Sequence, residues 1–171
     1  MPASPLPDIA AGADVFLDAN IFVYGLCGNS AQCRDVLRRC ASEEVFGVTT
    51  LEVVAEATHR LMLAEACHRG LITGERVALL RKKLQQIRDL TTYWRQAEAI
   101  LSMNILILQT EQARHREAQE VRSSHGILTN DSLIVATMRQ LDLTALASAD
   151  SDFDHIPYVT RYEPKDLPRV S

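Results

Sequence analysis

The sequence predicts an α/β fold in which a mostly parallel central sheet of about five strands is sandwiched by helices. The first observation is a set of short, apolar, β-favouring segments separated by stretches with helical periodicity. These segments lie at 14–17, 45–48, 105–108, 145–147 and 158–162. The second observation is that acidic residues follow several of the segments directly, at the strand ends where open α/β sheets carry their chemistry.

The length of the chain fits one globular domain. Its 171 residues, of which 47% are hydrophobic, suffice for a single sizeable core, and we expect residues 13–171 to form it. Residues 1–12 are rich in Pro, Ala and Gly without periodicity, which predicts a flexible N-terminal extension. No segment has the pattern of a signal peptide or the length of a membrane span, so a cytoplasmic protein is expected.

The charge balance weakens a nucleic-acid-binding function without excluding it. The formal net charge is −4, whereas nucleic-acid binders usually carry a basic surface. An enzyme that holds metal ions with acidic residues is made more acidic by its own active site, so a modestly negative total fits that class. The densest basic cluster contains Arg81, Lys82 and Lys83, which we interpret either as a solvated helix face or as a surface that faces RNA or a partner.

Asp18 stands where a buried strand should end. It follows the apolar run 15–17, and Asn20 then opens a second apolar run that is consistent with the first turn of a helix. An acid at the carboxyl end of a central strand is a candidate for catalysis or metal binding.

Glu52 and Glu56 lie one turn apart on a helix predicted at 51–66. Like charges at this spacing repel by roughly 0.2 to 0.5 kcal/mol, so the pair has no local stabilising purpose. Glu56 is flanked by apolar residues, and a carboxylate in apolar surroundings needs a proton or a cation. From the helix alone, an ion pair with Arg60 explains Glu56 as well as a functional role does.

Three further acids lie near predicted element boundaries. Asp131 falls in the first turn of an apolar helix that Thr129 or Asn130 can cap, and Asp150 and Asp152 follow the fourth predicted strand. Capping and turn formation explain each of these acids in isolation. Parallel strand ends converge on one edge of a sheet, however, and several carboxylates cannot share a pocket in ionised form without a cation. Oxygen ligands of this kind suit Mg²⁺ or Mn²⁺.

Four segments, taken in order, resemble the motifs of the PIN-domain family, a metal-dependent ribonuclease fold that includes the VapC-type toxins of bacterial toxin–antitoxin pairs. The segments are DANIFVY at 18–24, VTTLEVVAEATHRL at 48–61, TNDSLIVATM at 129–138 and SADSDF at 148–153. The resemblance covers nearly all of residues 14–162. It departs from the family pattern at Ser148, where the family often has threonine, and in a longer helical stretch at 70–103.

The resemblance implies hydrolysis of RNA phosphodiesters at a Mg²⁺ or Mn²⁺ site. The family's acids carry over to four residues, with Asp152 as a second candidate for the last: Asp18, Glu56, Asp131 and Asp150. Asn20 and Ser148 are expected to orient these carboxylates. A toxin of a type II toxin–antitoxin pair would have a small antitoxin as partner, and dimerisation is a further expectation from the resemblance.

Two other function classes compete with this interpretation. A phosphotransfer domain also places an aspartate at a strand end, but the phosphatase pattern needs a second aspartate where Asn20 stands. The lysine that such folds use near their last strands is also missing, because the only late lysine, Lys165, lies beyond the predicted sheet. A catalytically silent PIN-like interaction module would keep the fold without turnover, and metal titration would separate it from an enzyme.

Overall fold

The computed structural model of the chain describes residues 3–73 and 77–167. The strands are β1 (Ser4–Pro5), β2 (Asp14–Leu17), β3 (Phe46–Thr50), β4 (Ile105–Leu108), β5 (Ala145–Ala147) and β6 (Thr160–Glu163). The α-helices in the described residues are α1 (Ala19–Leu26), α2 (Ala31–Ala41), α3 (Leu51–His68), α4 (Val77–Leu80), α5 (Leu84–Arg88), α6 (Thr92–Leu101), α7 (Gln112–His125) and α8 (Thr129–Gln140).

The strands form one parallel sheet in the order β1-β6-β5-β2-β3-β4. All five predicted strands are present and alternate with helices, so the predicted α/β fold class is confirmed. The central strand β2 is fully buried at Phe16 and Leu17, as expected for an apolar run with neighbours on both sides. Leu17 pairs with Ala147 of β5, which brings Asp18 and Ser148 out of the sheet side by side.

The N-terminal segment is part of the sheet, in contrast to the flexible extension expected for residues 1–12. Strand β1 pairs with β6, so the last strand is covered on its outer side. Leu6 and Ile9 are buried in the main core, and the Ile9 carbonyl accepts a hydrogen bond from Arg39 Nη2 at 2.7 Å. Pro5 suits this outermost position, because an edge strand does not need every backbone N–H as a donor. Residues 1–2 lie outside the described residues.

Leu6→Ala should lower the free energy of unfolding by about 2 kcal/mol if the N-terminal segment is docked. The side chain is fully buried, and local detachment of the short segment limits the cost. Urea denaturation measures the effect, with Asp8→Ala as the control because Asp8 is exposed on the same segment. Equal midpoints for the two variants would contradict the docked arrangement.

The helix that precedes β3 packs closely against that strand. Cys33 and Cys40, whose seven-residue spacing predicts one helix face, are both fully buried in α2. Gly47 of β3 permits this approach, because a Cβ at that position would lie 3.0 Å from Cys40 Sγ. Strand β3 then leads into α3, whose first turn is capped by Thr50, with Oγ1 accepting from Val53 N at 3.4 Å.

Two local predictions are wrong. The apolar run in β4 predicts a buried strand, but β4 is an edge strand in which Leu106 is 55% exposed. The pattern over 77–87 predicts one helix, whereas α4 and α5 are separated by a turn at 81–83. A hydrophobic pattern alone does not distinguish a central strand from an edge strand, and it does not show where a helix is interrupted.

Among the described residues, no helix combines the length and hydropathy that crossing a membrane requires.

Candidate active site

Asp18 lies at the junction of β2 and α1, near the centre of the sheet. Its backbone N–H donates to the Ala147 carbonyl at 3.1 Å, which extends the pairing of β2 with β5 by one step. Its side chain caps α1, with Oδ1 accepting from Ala19 N at 2.6 Å. Asp18 is only 8% exposed. The backbone of Asp18 is therefore tied to β5, and one oxygen of its carboxylate is bound by the first turn of α1.

The second carboxylate oxygen of Asp18 is held by the two residues predicted to orient it. Oδ2 accepts from Ser148 Oγ at 2.6 Å and also from Asn20 Nδ2. Asn20 Nδ2 lies 3.1 Å from Ser148 Oγ, and Asn20 Oδ1 accepts from Ala149 N at 3.0 Å. All three side chains are buried. This network ties the end of β2 to the end of β5.

Burial sets the protonation chemistry of Asp18. It raises the pKa of the carboxyl from its ordinary 3.8 to about 6, although the Ser148 and Ala19 hydrogen bonds act in the opposite direction. The charge of Glu56 raises the pKa further, and that of Arg60 lowers it. An ionised Asp18 is therefore costly in this pocket unless a cation accompanies it.

Asp131 is the second acid with a strongly raised pKa. It lies in the first turn of α8. The N-cap of this helix is Leu128, so the prediction of Thr129 or Asn130 as the cap is wrong. The pKa of Asp131 is raised to about 6, and burial is the largest cause. Four negative charges raise it further, in decreasing order of effect: Asp150, Asp18, Asp152 and Glu56. All the predicted acids thus act electrostatically on one carboxyl.

The structure distinguishes Glu56 from Glu52. Glu56 Oε2 accepts from Asn130 Nδ2 at 3.0 Å, which links α3 to the start of α8 beside Asp131. Glu52 instead accepts from Thr110 Oγ1 at 2.7 Å. Only Glu56 of the two faces the other acids.

Asp150 and Asp152 lie on an exposed turn after β5. The Asp150 backbone N–H donates to Ser148 Oγ at 3.0 Å, so the turn is anchored to the hydroxyl that binds Asp18. Asp150 Oδ1 also accepts from Asp152 N at 2.9 Å and caps a short 3-10 helix at 151–153. Asp150 affects the pKa of Asp131 more than Asp152 does, which favours Asp150 as the fourth acid.

The chemistry of the acidic groups suits a hard divalent cation, although their side chains, all within the described residues, do not form a ligand cluster in this arrangement. The convergent groups are all carboxylates, and oxygen ligands are what Mg²⁺ and Mn²⁺ prefer. In the described part of the chain, no three acidic, His or Cys side chains lie close enough together to hold a metal ion as a group. Oδ2 of Asp18 and Oε2 of Glu56 are bound instead by Ser148, Asn20 and Asn130.

The predicted RNA-binding cluster lies away from these acids. Leu80, which precedes Arg81 and Lys82, belongs to the same buried cluster as Leu63 and Ala66 of α3. These two residues lie about 10–15 Å further along the helix than Glu56. Arg81 and Lys82 are exposed. The Lys83 ammonium donates to the Leu71 carbonyl, so this side chain makes a contact within the protein.

Two arginines beside the acids were not predicted as site residues. Arg60 is a cation close to Glu56, with a distance of 3.9 Å between Nη1 and Oε1. Arg161 lies beneath the network, where Nη1 donates to the Ser148 carbonyl at 3.1 Å. Its fork binds Asp154 at 2.7 and 2.9 Å. An arginine at a buried position of a predicted strand is the one sequence signal that could have identified Arg161.

Comparisons with known proteins identify the family to which the chain belongs. Residues 15–158 match the model of the PIN domain family. The chain is 26% identical over 156 residues to "Ribonuclease VapC6" of Methanocaldococcus jannaschii, covering 86% of this chain and 95% of the relative. It is 22% identical over 146 residues to "Ribonuclease VapC2" of the same organism, covering 85% of this chain and 90% of the relative.

Solved structures share the fold at lower identity. Mycobacterium tuberculosis VapC20, described as a sarcin-ricin loop cleaving toxin, matches with a TM-score of 0.59 and 17% identity, covering 85% of this chain and 97% of that chain. VapBC2 of Rickettsia felis, bound to a promoter DNA fragment, matches with a TM-score of 0.57 and 17% identity, covering 88% and 98%. Because the family model spans most of the chain and the fold agrees, this protein belongs to the PIN domain family.

Proposed function

We propose that this protein is a ribonuclease that hydrolyses RNA phosphodiesters with Mg²⁺ or Mn²⁺. The observation that carries the proposal is that the hydrogen bonds of Asp18 with Ser148 and Asn20, and of Glu56 with Asn130, bring acids from distant parts of the chain to the region of Asp131, whose pKa is raised. The residues assigned to metal binding and catalysis are Asp18, Glu56, Asp131 and Asp150, with Asp152 as the second candidate for the last. The names of the curated relatives as ribonucleases support the same reaction.

The chain's own groups prepare the site for an anionic substrate. A bound divalent cation would activate water and neutralise charge on the phosphate oxygens. Ser148 and Asn20 hold Asp18 in one orientation through their hydrogen bonds to Oδ2. Helices α1 and α8 both begin beside the acids, and the positive ends of their dipoles favour negative charge there. No side-chain nucleophile is required.

We further propose that the protein is the toxin of a type II toxin–antitoxin pair, held inactive by a small antitoxin. Several relatives and structural neighbours carry the VapC name, and a matching structure of 18% identity and TM-score 0.54 is described as a toxin–antitoxin complex from Klebsiella pneumoniae. Phe46 and Leu106 are about half exposed at the β4 side of the sheet, which offers apolar area for an antitoxin or a second copy.

The test is cleavage of a mixed panel of structured RNAs by the purified protein in Mg²⁺, Mn²⁺ or chelator. We expect metal-dependent cutting that Asp131→Asn removes, because this acid lies where the other negative charges converge. Asp89→Asn is the matched control, since Asp89 is exposed beyond the far end of α3, and it should retain full activity.

Failure of the folded protein to cut any RNA in either metal would contradict the ribonuclease and favour the silent interaction module. Calorimetric titration with Mn²⁺ then separates the two classes further. An enzyme should bind the ion and lose affinity in Asp131→Asn, whereas a silent module should bind it weakly in both proteins.

A further inference from the structure

Arg60 brings a positive charge to the edge of the acidic site. It lies one turn after Glu56 on α3, and its Nη1 is 3.9 Å from Glu56 Oε1. Its guanidinium carbon stands 5.9 Å from the centre of the Tyr24 ring, within the range of a cation–π contact. The side chain is 31% exposed. Tyr24 therefore holds the guanidinium in place while solvent still reaches it.

The donors of Arg60 are unused, unlike those of the buried arginines. Arg39, Arg114 and Arg161 each donate to a carboxylate and to a backbone carbonyl. Within the described residues, Arg60 donates no hydrogen bond, and its ion pair with Glu56 is too long to be one. The contacts that the described residues make with this partly exposed guanidinium are the long ion pair with Glu56 and the contact with the Tyr24 ring, which leave its N–H groups available to a ligand.

We propose that Arg60 binds a phosphate group of the RNA backbone next to the acidic site. This inference rests on the proposed ribonuclease function. The acids repel a phosphodiester, so the substrate needs a cation from the protein in addition to any bound metal. The planar fork of arginine matches the oxygens of phosphate, and contact with an aromatic ring pre-orients it.

The competing explanation is that Arg60 only balances the charges of Glu56 and Asp18. The two explanations differ in what salt does to RNA binding. A residue that neutralises a phosphate releases counterions from RNA, and its loss lowers the salt dependence of binding. A residue that balances internal carboxylates leaves that dependence unchanged.

The experiment measures binding of a labelled single-stranded RNA by fluorescence anisotropy in Mg²⁺ over a series of salt concentrations. Asp18→Asn serves as the parent, because it is expected to bind without cutting. Adding Arg60→Gln should weaken binding about tenfold and should reduce the slope of log affinity against log salt by about 0.7, the value for one phosphate on a single strand. Arg60→Lys should restore the slope but only part of the affinity, because it keeps the charge and loses the fork.

Arg116→Gln in the same parent is the matched control. Arg116 is exposed on α7. Its neighbour Arg114 donates to the carbonyl of Ala136, which lies further along α8 than Asp131, so this part of α7 is away from the start of α8. This variant removes the same charge and should leave the slope unchanged. If Arg116→Gln changes the slope as much as Arg60→Gln does, the assignment is overturned, because the slope then reflects only the overall charge of the protein.

Three further outcomes overturn the proposal. Equal slopes for the parent and the Arg60→Gln protein would leave Arg60 as an internal counter-charge. If the single variant Arg60→Gln binds Mn²⁺ more weakly than the unmodified protein does, the role of Arg60 is to support the acidic residues. Absence of both RNA binding and RNA cleavage in the unmodified protein would defeat the proposed function itself, whereas cleavage with equal slopes defeats only the role of Arg60.

Discussion

Asp18→Asn should abolish RNA cleavage and at the same time stabilise the metal-free protein at neutral pH. Loss of groups that merely support metal ligands already costs about 10–100-fold in other metal sites, so loss of this central acid should cost about a thousandfold or more. Stability should rise because the variant removes a buried carboxyl whose pKa is raised to about 6 and which is therefore negatively charged at neutral pH. The expected gain is about 1–3 kcal/mol at pH 7.5.

The pH dependence of this gain follows from the direction of the pKa shift. Folded Asp18 holds its proton up to about pH 6, whereas an unperturbed aspartate loses it near 3.8. The stability due to that proton is complete below the lower value and is lost as pH rises through the higher one. Unmodified protein in chelator should therefore be more stable near pH 5 than near pH 7.5, and the advantage of Asp18→Asn should vanish toward pH 4.

Thermal unfolding in chelator across this pH range measures the effect, and the RNA cleavage assay runs beside it. Mg²⁺ should stabilise the unmodified protein more than Asp18→Asn, because the ion relieves the repulsion that the substitution removes. Full nuclease activity in Asp18→Asn, or a lower stability than the unmodified protein at pH 7.5, would contradict the role given to this carboxylate.

Arg161→Ala should destabilise the fold by about 2–4 kcal/mol. Breaking a buried ion pair from one side typically costs about 3–5 kcal/mol, and the partial exposure of Asp154 and Glu163 reduces that figure here. Arg161 is 5% exposed at its side chain, and it binds both carboxylates together with the Ser148 carbonyl. Its removal loosens the end of β5 where Ser148 holds Asp18, so cleavage should fall along with stability.

Chemical denaturation and the cleavage assay test Arg161 with two comparison variants. Arg161→Lys retains the charge but loses the fork and should fall between Ala and the unmodified chain. Arg95→Ala removes an exposed arginine from α6 and should change stability by less than about 0.5 kcal/mol. A loss below about 1 kcal/mol in Arg161→Ala would show that the buried network contributes little.

Elements with a strong local signal could be predicted from the sequence. The run 15–17 is apolar and short, and it is followed by an acid and a helix, which is enough to place Asp18 at the end of a strand. Glu56 could be preferred over Glu52 only through its apolar neighbours and the family resemblance, and the hydrogen bond from Asn130 now supplies a structural reason. The roles of these acids in metal binding stay predictions.

Features that depend on distant partners could not be predicted. Strand β1 has two residues and no periodicity, and its pairing partner is at the other end of the chain. Ser148 and Asp18 are 130 residues apart, and no local pattern reports their contact. The guanidinium of Arg60 forms no hydrogen bond because no acceptor of the described residues lies close enough, and the sequence does not show those distances. Burial of Arg161 likewise results from three partners that the strand pattern does not name.

The position of β5 between β2 and β6 has a consequence for biosynthesis. Asp18 and Glu56 are made early, but the strand that carries Ser148 beside Asp18 comes late, and its outer neighbour, which holds Arg161, comes later still. A nascent chain therefore cannot complete the hydrogen bonds around Asp18 until Ser148 has left the ribosome. The proposed ribonuclease activity is therefore expected to be absent from nascent chains that still lack this segment.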